Sequence, residues 1–170
     1  MKLLITEPTG FSKKASEMLS SSFDVIKLNS LNTIHEHLHT VDVLFIRLGV
    51  VFDKVLLEEA KQLKIICTPT TGLDHIDLEY CKARNIKLIS LKGEQNFLES
   101  IPSTAEHAWT LLMALNRKIY HAVDHVNEKQ WDRNQFKSFN LKNKTLGILG
   151  LGRVGKQMAE YGQTFAMKVL

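Results

Sequence analysis

Short runs of aliphatic and β-branched residues alternate with amphipathic stretches through the first half of the chain. The apolar runs are residues 3–6, 24–28, 43–46, 64–68 and 87–90. They lack the polar–apolar alternation of a strand with one wet face, so both faces are buried, as in a parallel sheet covered by helices. Between them the spacing predicts helices. One spans residues 11–19 with Phe11, Ala15, Met18 and Leu19 on one face. A short one is marked by Ile34, Leu38 and Val41, another carries Val55, Leu56 and Ala60, and a fourth lies near residues 78–84. Strands joined by right-handed crossovers of this kind make a doubly wound α/β unit. Ligands of such a unit bind at the carboxyl ends of its strands, so the loops after each run are the places to look.

The pattern then changes. Residues 93–102 read as irregular, with Gly93 and Pro102 at either end. Ser103-Thr104-Ala105-Glu106 has the spacing of a capping box, in which the first hydroxyl and the fourth carboxylate exchange hydrogen bonds with each other's N–H. Trp109, Leu112, Met113, Asn116, Ile119, Val123 and Val126 follow at three- and four-residue intervals, with no Gly or Pro between them. One unbroken helix over 103–129 is predicted, roughly 40 Å long at 1.5 Å per residue. Such a helix can bridge two domains and pair with a second copy of itself. Domains are therefore expected over 1–98 and 99–170.

After a polar stretch, residues 145–155 read T-L-G-I-L-G-L-G-R-V-G. A short apolar run leads into Gly150-x-Gly152-x-x-Gly155, and a helix is predicted over 153–166, followed by the start of another strand at 167–170. Glycine at these three positions suits a dinucleotide pyrophosphate. Gly150 permits the tight turn, Gly152 allows backbone close to phosphate oxygens, and Gly155 lets the helix pack on its strand. The helix N-terminus contributes unpaired N–H groups and the positive end of its dipole. A plain strand–turn–helix is the alternative reading of the same residues.

Composition narrows the classes without choosing among them. At 44% hydrophobic and 24% charged residues, the 170-residue chain is an ordinary globular sequence. Its net charge of +4 comes from basic residues scattered along the chain, with no dense basic arm and no interleaved aromatics, so nucleic acid is not expected as a partner. No run reaches the roughly 18 apolar residues of a membrane span. Cys67 and Cys81 read as a reduced pair, and a cytoplasmic location is expected.

Arg47 closes the third apolar run, where a guanidinium could fork onto a carboxylate or phosphate; an ordinary surface arginine would look the same. The loop containing Thr71 and Gly72 offers successive backbone N–H groups to an anion, or is a simple capped turn. Among seven histidines, His35 and His39 share a helical face without a third ligand type, which reads as solvated surface rather than a metal site. His75 and His107 read as structural, and His121 and His125 as facing solvent or a partner helix. No nucleophile–base order or carboxylate pair stands out, so neither a catalytic residue nor a metal is assigned.

Three separated stretches together resemble a known family. N-L-K-N-K-T-L-G-I-L-G-L-G-R-V-G, L-K-I-I-C-T-P-T-T-G-L-D-H-I-D-L and S-T-A-E-H with A-L-N-R-K are similar to segments of the D-isomer-specific 2-hydroxyacid dehydrogenases, nearest their phosphoglycerate dehydrogenase members. The resemblance implies a flavodoxin-like substrate domain followed by the start of a Rossmann domain. It implies NAD as cofactor, with NADP not excluded, and a small 2-hydroxy or 2-oxo acid as substrate. Thr71 and Gly72 would present N–H groups to the substrate carboxylate with Arg47 nearby. Gly150, Gly152, Arg153, Val154 and Gly155 would hold the pyrophosphate, and Thr104 would line the cofactor cleft. The 103–129 helix and the segment after it would form a homodimer interface. The family's acid/base His, its orienting carboxylate and its carbonyl-polarising Arg lie downstream of the glycine motif, and the ribose-reading acidic residue falls just past Leu170. The chain is therefore expected to be silent alone, and its last thirty residues to be disordered, swapped or covered by a second copy. An NAD-sensing, corepressor-like protein of the same fold is the alternative. A receiver-type module would also explain the fold of residues 1–92, but it needs Asp at the end of the third run, where Arg47 stands. The stretch 91–102 is longer and more charged than the family's commonest pattern, which weakens phosphoglycerate itself as substrate.

Overall fold

The computed structural model describes all residues from Met1 to Leu170 and divides into two compact units, Met1–Glu94 and Gln95–Leu170. The first unit runs β1 (Lys2–Ile5), α1 (Lys13–Ser20), β2 (Asp24–Lys27), α2 (His35–Leu38), β3 (Val43–Phe45), α3 (Lys54–Glu59), β4 (Ile65–Cys67), α4 (Leu78–Ala83) and β5 (Lys87–Ile89). The strands form one parallel sheet in the order β2-β1-β3-β4-β5. This is the flavodoxin-like winding, with its reversal between β1 and β3.

The sheet buries side chains on both faces. Leu4, Leu44 and Ile66 join Leu38, Phe52, Leu57 and Ala60 on one side, while Leu3, Ile5 and Val43 pack with Phe11 and Leu19 on the other. Helix starts are set by short polar side chains: Ser12 accepts from the Ala15 N–H, Asp53 from Leu56 and Asp77 from Tyr80. Each satisfies one of the donors a helix leaves free at its start, typically worth ~1 kcal/mol. Two expected core positions are misplaced. Met18 and Val55 are exposed, and Leu57 rather than Val55 enters the core, because α3 begins one residue before Val55 and turns that side chain outward.

At the amino ends of the strands, the Asp42 carboxylate accepts from Lys64 Nζ at 2.7 Å and from the Lys2 N–H at 3.0 Å. The Lys64 and Lys2 bonds hold its pKa below the usual carboxylate range. A carboxylate whose folded pKa is depressed contributes stability above its unfolded value near 3.9, and that contribution is lost as pH falls through the folded value. Urea unfolding of Asp42→Asn should therefore show a loss of stability at pH 7 and a smaller loss at an acidic pH under the unfolded value near 3.9. An equal loss at both pH values would contradict it.

The second unit runs α5 (Gln95–Glu99), α6 (Ser103–Asn116), α7 (Ile119–Asn127), β6 (Thr145–Leu146), α8 (Arg153–Thr164) and β7 (Lys168–Val169). Three expectations fail here. The stretch expected to be irregular holds a helix, α5. The capping box does not form: Pro102 occupies the N-cap in helical geometry, which makes Ser103 the first helical residue and sends the Glu106 N–H to the Pro102 carbonyl at 3.0 Å. The long helix is two helices. Lys118 adopts φ 52°, ψ 38° and separates α6 from α7. A left-handed lysine costs on the order of 1 kcal/mol; its Nζ recovers a hydrogen bond to the Gln135 carbonyl at 3.1 Å.

Candidate functional site

The carboxyl edge of the first unit places three loops in a row. Ile46 N–H donates to the Cys67 carbonyl at 2.9 Å, and Leu91 N–H to the Thr70 carbonyl at 3.1 Å, so the loops after β3, β4 and β5 leave the sheet side by side. Thr71 and Gly72 stand exposed on the middle loop. Thr70 shapes it: its hydroxyl donates to the Gly72 carbonyl at 2.8 Å and pairs with the buried Thr68 hydroxyl at 3.0 Å. His75, just beyond, is buried with its Nε2 unpartnered, while its carbonyl accepts from the Phe52 N–H at 2.7 Å.

Arg47 lies at this edge, and its guanidinium turns towards the β1 side. Its Nη1 donates to the Thr9 carbonyl at 3.2 Å, and it lines an open cavity of about 520 Å³ with Thr6, Glu7, Asn29 and Ser30. Glu7 escaped the sequence reading. Its carboxylate accepts from the Arg47 N–H at 2.9 Å and the Gly49 N–H at 3.1 Å, fixing the β3 loop. The available signal was an acidic residue directly after the first strand, at the carboxyl edge.

In the second unit the glycine motif forms a turn between a short strand and a helix. The strand is only Thr145 and Leu146, shorter than expected because β7 is its one neighbour, although the Ile148 N–H still reaches the Leu170 carbonyl at 2.8 Å. Each glycine of the motif differs in what it requires. Gly150 has φ +98°, a conformation that side chains resist. Gly152 is the N-cap of α8, exposed, with nothing within 4 Å of where a Cβ would project. Gly155 packs so close that an added Cβ would strike the Gly150 carbonyl oxygen and lie 3.2 Å from Ile148 Cγ2. Further along, Gly162 is buried and a Cβ there would lie 2.8 Å from Leu146 Cδ2, which sets how near α8 lies to β6.

No side chain caps α8. Its first N–H groups therefore lack the side-chain acceptors that Ser12, Asp53 and Asp77 supply in the first unit, and the Gly152 N-cap beside them is exposed. That is the arrangement a diphosphate fits: donors, a dipole end and a backbone without side chains in the way. Arg153 and Val154 follow in the first turn. The Arg153 guanidinium donates to the Ile101 carbonyl at 2.9 Å, and Gln157 Nε2 to the Glu99 carbonyl at 3.4 Å, so α8 holds the segment between α5 and α6. Thr104 is exposed in the first turn of α6. His125, expected to face outward, is buried instead: its Nε2 accepts from the Asp132 N–H at 2.9 Å and its ring meets Phe136 edge-on. It anchors the loop that follows α7.

A flavodoxin-like parallel sheet followed by a strand–glycine turn–helix with a bare helix N-terminus defines an α/β nucleotide-binding protein. The family model of the D-isomer specific 2-hydroxyacid dehydrogenase catalytic domain matches residues 3–130, and that of the corresponding NAD binding domain matches 109–170. The chain belongs to the D-isomer specific 2-hydroxyacid dehydrogenase family. It is 30% identical over its whole length to the D-3-phosphoglycerate dehydrogenase of Methanocaldococcus jannaschii, of which it covers 32%. It is 35% identical to the hydroxypyruvate reductase of Thermotoga maritima over 76% of this chain and 41% of that one. The crystal structure of D-lactate dehydrogenase from Aquifex aeolicus, complexed with NAD and lactic acid, superimposes with a TM-score of 0.83 at 26% identity, over 99% of this chain and 50% of the other. The chain spans about a third of the length of the phosphoglycerate dehydrogenases it matches end to end. No helix is long and apolar enough to cross a membrane.

Proposed function

We propose that this chain carries the substrate-binding unit and the opening of the cofactor-binding unit of an NAD-dependent oxidoreductase acting on the CH–OH group of a D-2-hydroxy acid, of phosphoglycerate dehydrogenase-like build. The observation that supports it best is the uncapped start of α8 behind Gly150, Gly152 and Gly155. Gly150, Gly152, Arg153, Val154 and Gly155 hold the pyrophosphate, chiefly through N–H groups, and Thr104 lines the cofactor cleft. NAD, when bound, supplies the hydride acceptor; NADP is also compatible, because no residue of the chain is assigned to the ribose hydroxyl. Thr71 and Gly72 donate N–H groups to the substrate carboxylate, each charge-assisted bond contributing about 1.5–3 kcal/mol. Arg47 adds positive potential at the same edge. The domain division is 1–98 and 99–170 in this reading, and the assembly is a homodimer through α6, α7 and the segment after them. The unpaired Cys67 and Cys81 are compatible with the reducing cytoplasm.

None of the seven histidines is assigned to proton transfer, and no arginine to polarising a carbonyl at C2. The purified chain, checked by intact mass, should reduce NAD with no 2-hydroxy acid above background. Turnover above background would contradict that part of the reading. NADH binding tied to capture of a partner protein would favour the sensing alternative.

A further inference from the structure

The three relatives above carry the names of three different substrates, so likeness alone does not choose among them. We propose that the acid this edge accepts has an uncharged, apolar side chain and no phosphate; the proposal rests on the reading of Thr71 and Gly72 as the carboxylate-binding loop.

Three observations at the β3 loop carry it. First, the loop resembles an anion site whose anion is already present as a side chain. Two of its N–H groups, on Arg47 and Gly49, converge on the Glu7 carboxylate at 2.9 and 3.1 Å. Paired loop N–H groups are what a phosphate would seek. Here the donors are used, and a full negative charge occupies the place. Second, the loop has no room to add a cation at Gly49, where a Cβ would lie 2.8 Å from Glu7 Oε1 and 3.1 Å from Leu31 Cδ1. Arg47 is committed to the Thr9 carbonyl and stands beside the same carboxylate. Lys92 is the only other Lys or Arg in the loops after β3, β4 and β5, and Glu94 follows two residues later. Third, the loop turns apolar side chains outward: Leu48 is 68% exposed and Val51 64%.

A phosphate on the far end of the substrate would thus meet a carboxylate that already holds two loop N–H groups, with the Arg47 guanidinium beside it turned to the Thr9 carbonyl. Repulsion between a dianion and a carboxylate several ångströms apart at a protein surface changes affinity on the order of tenfold or more. An aliphatic tail would instead cover Leu48 and Val51, a favourable exchange of exposed apolar surface. Glu7, Leu48 and Val51 are in this account specificity-determining residues.

The test is an amide NMR titration of the 170-residue chain with 2-oxo-4-methylpentanoate and, separately, 3-phosphohydroxypyruvate. The expected result is that the apolar acid moves the Thr71, Gly72 and Leu48 amides with a dissociation constant about tenfold or more below that of the phosphorylated acid. Glu7→Gln should narrow that ratio, and Leu48→Lys, at an exposed position that tolerates it, should narrow it even if the first substitution disturbs the loop. Equal or tighter binding of 3-phosphohydroxypyruvate at Thr71 and Gly72 overturns the proposal while leaving the carboxylate loop in place. If neither acid moves Thr71 and Gly72, the loop reading fails and the proposal fails with it.

Discussion

Gly155→Ala should unfold or severely loosen the second unit while Gly152→Ala leaves it folded. At Gly155 the added methyl would overlap the Gly150 carbonyl oxygen and press on Ile148. Backbone cannot yield as a flexible side chain does, and Gly150 is itself held at φ +98°. Overpacking of this kind costs about 1–3 kcal/mol and occasionally more. In a unit of this size a loss of ~3 kcal/mol lowers the melting temperature on the order of 10–20 °C. At Gly152 a methyl meets open space, and the observed φ −80°, ψ −164° suits any residue. Gly152→Ala should therefore melt within a few degrees of the parent. It should bind dinucleotide several-fold more weakly, because the methyl projects where phosphate oxygens approach. Calorimetry on the two variants separates the roles: equal melting temperatures would refute the packing argument at Gly155.

The second large effect concerns association. Leu111, Leu115, Ile119, Tyr120, Val123 and Val126 are exposed along α6 and α7, and Trp131 just after them is 90% exposed. Leu115 and Tyr120 line one open cavity of about 890 Å³ with His121 and Phe136. Exposed apolar side chains in this number mark an interaction surface, and stable dimers bury about 1,600 Å² in total. The chain should sediment as a dimer at micromolar concentration. The double variant Leu115→Glu with Tyr120→Glu should sediment as a monomer, its dissociation constant raised a hundredfold or more by carboxylates buried without partners. A monomeric parent, or a dimeric double variant, would contradict the interface.

What the sequence revealed and what it concealed divide along physical lines. The parallel sheet was legible because strands buried on both faces, such as Val43–Phe45, leave unbroken apolar runs that no surface element produces. The glycine turn was legible because Gly150 takes φ +98° and Gly155 leaves no room for a Cβ, so the chain must carry glycine at both places between the strand and the helix. The break at Lys118 was not legible. A lysine in left-handed geometry leaves no Gly or Pro behind, and the apolar spacing runs on through it. Ser103 and Glu106 had the spacing of a capping box, but Pro102 adopts helical geometry and takes the N-cap position first. Glu7 was invisible for a different reason. Its partners, Arg47 and Gly49, lie about forty residues away in sequence, and only the pairing of β1 with β3 brings them together.

The central claim is that the bare amino end of α8 receives a dinucleotide diphosphate. An amide NMR titration of the chain with NAD tests it most directly. The account predicts that the largest shifts fall on Gly150, Gly152, Arg153, Val154 and Gly155 and saturate together. Amides of that turn unmoved at saturating NAD, or shifts gathered elsewhere in the chain, would contradict it.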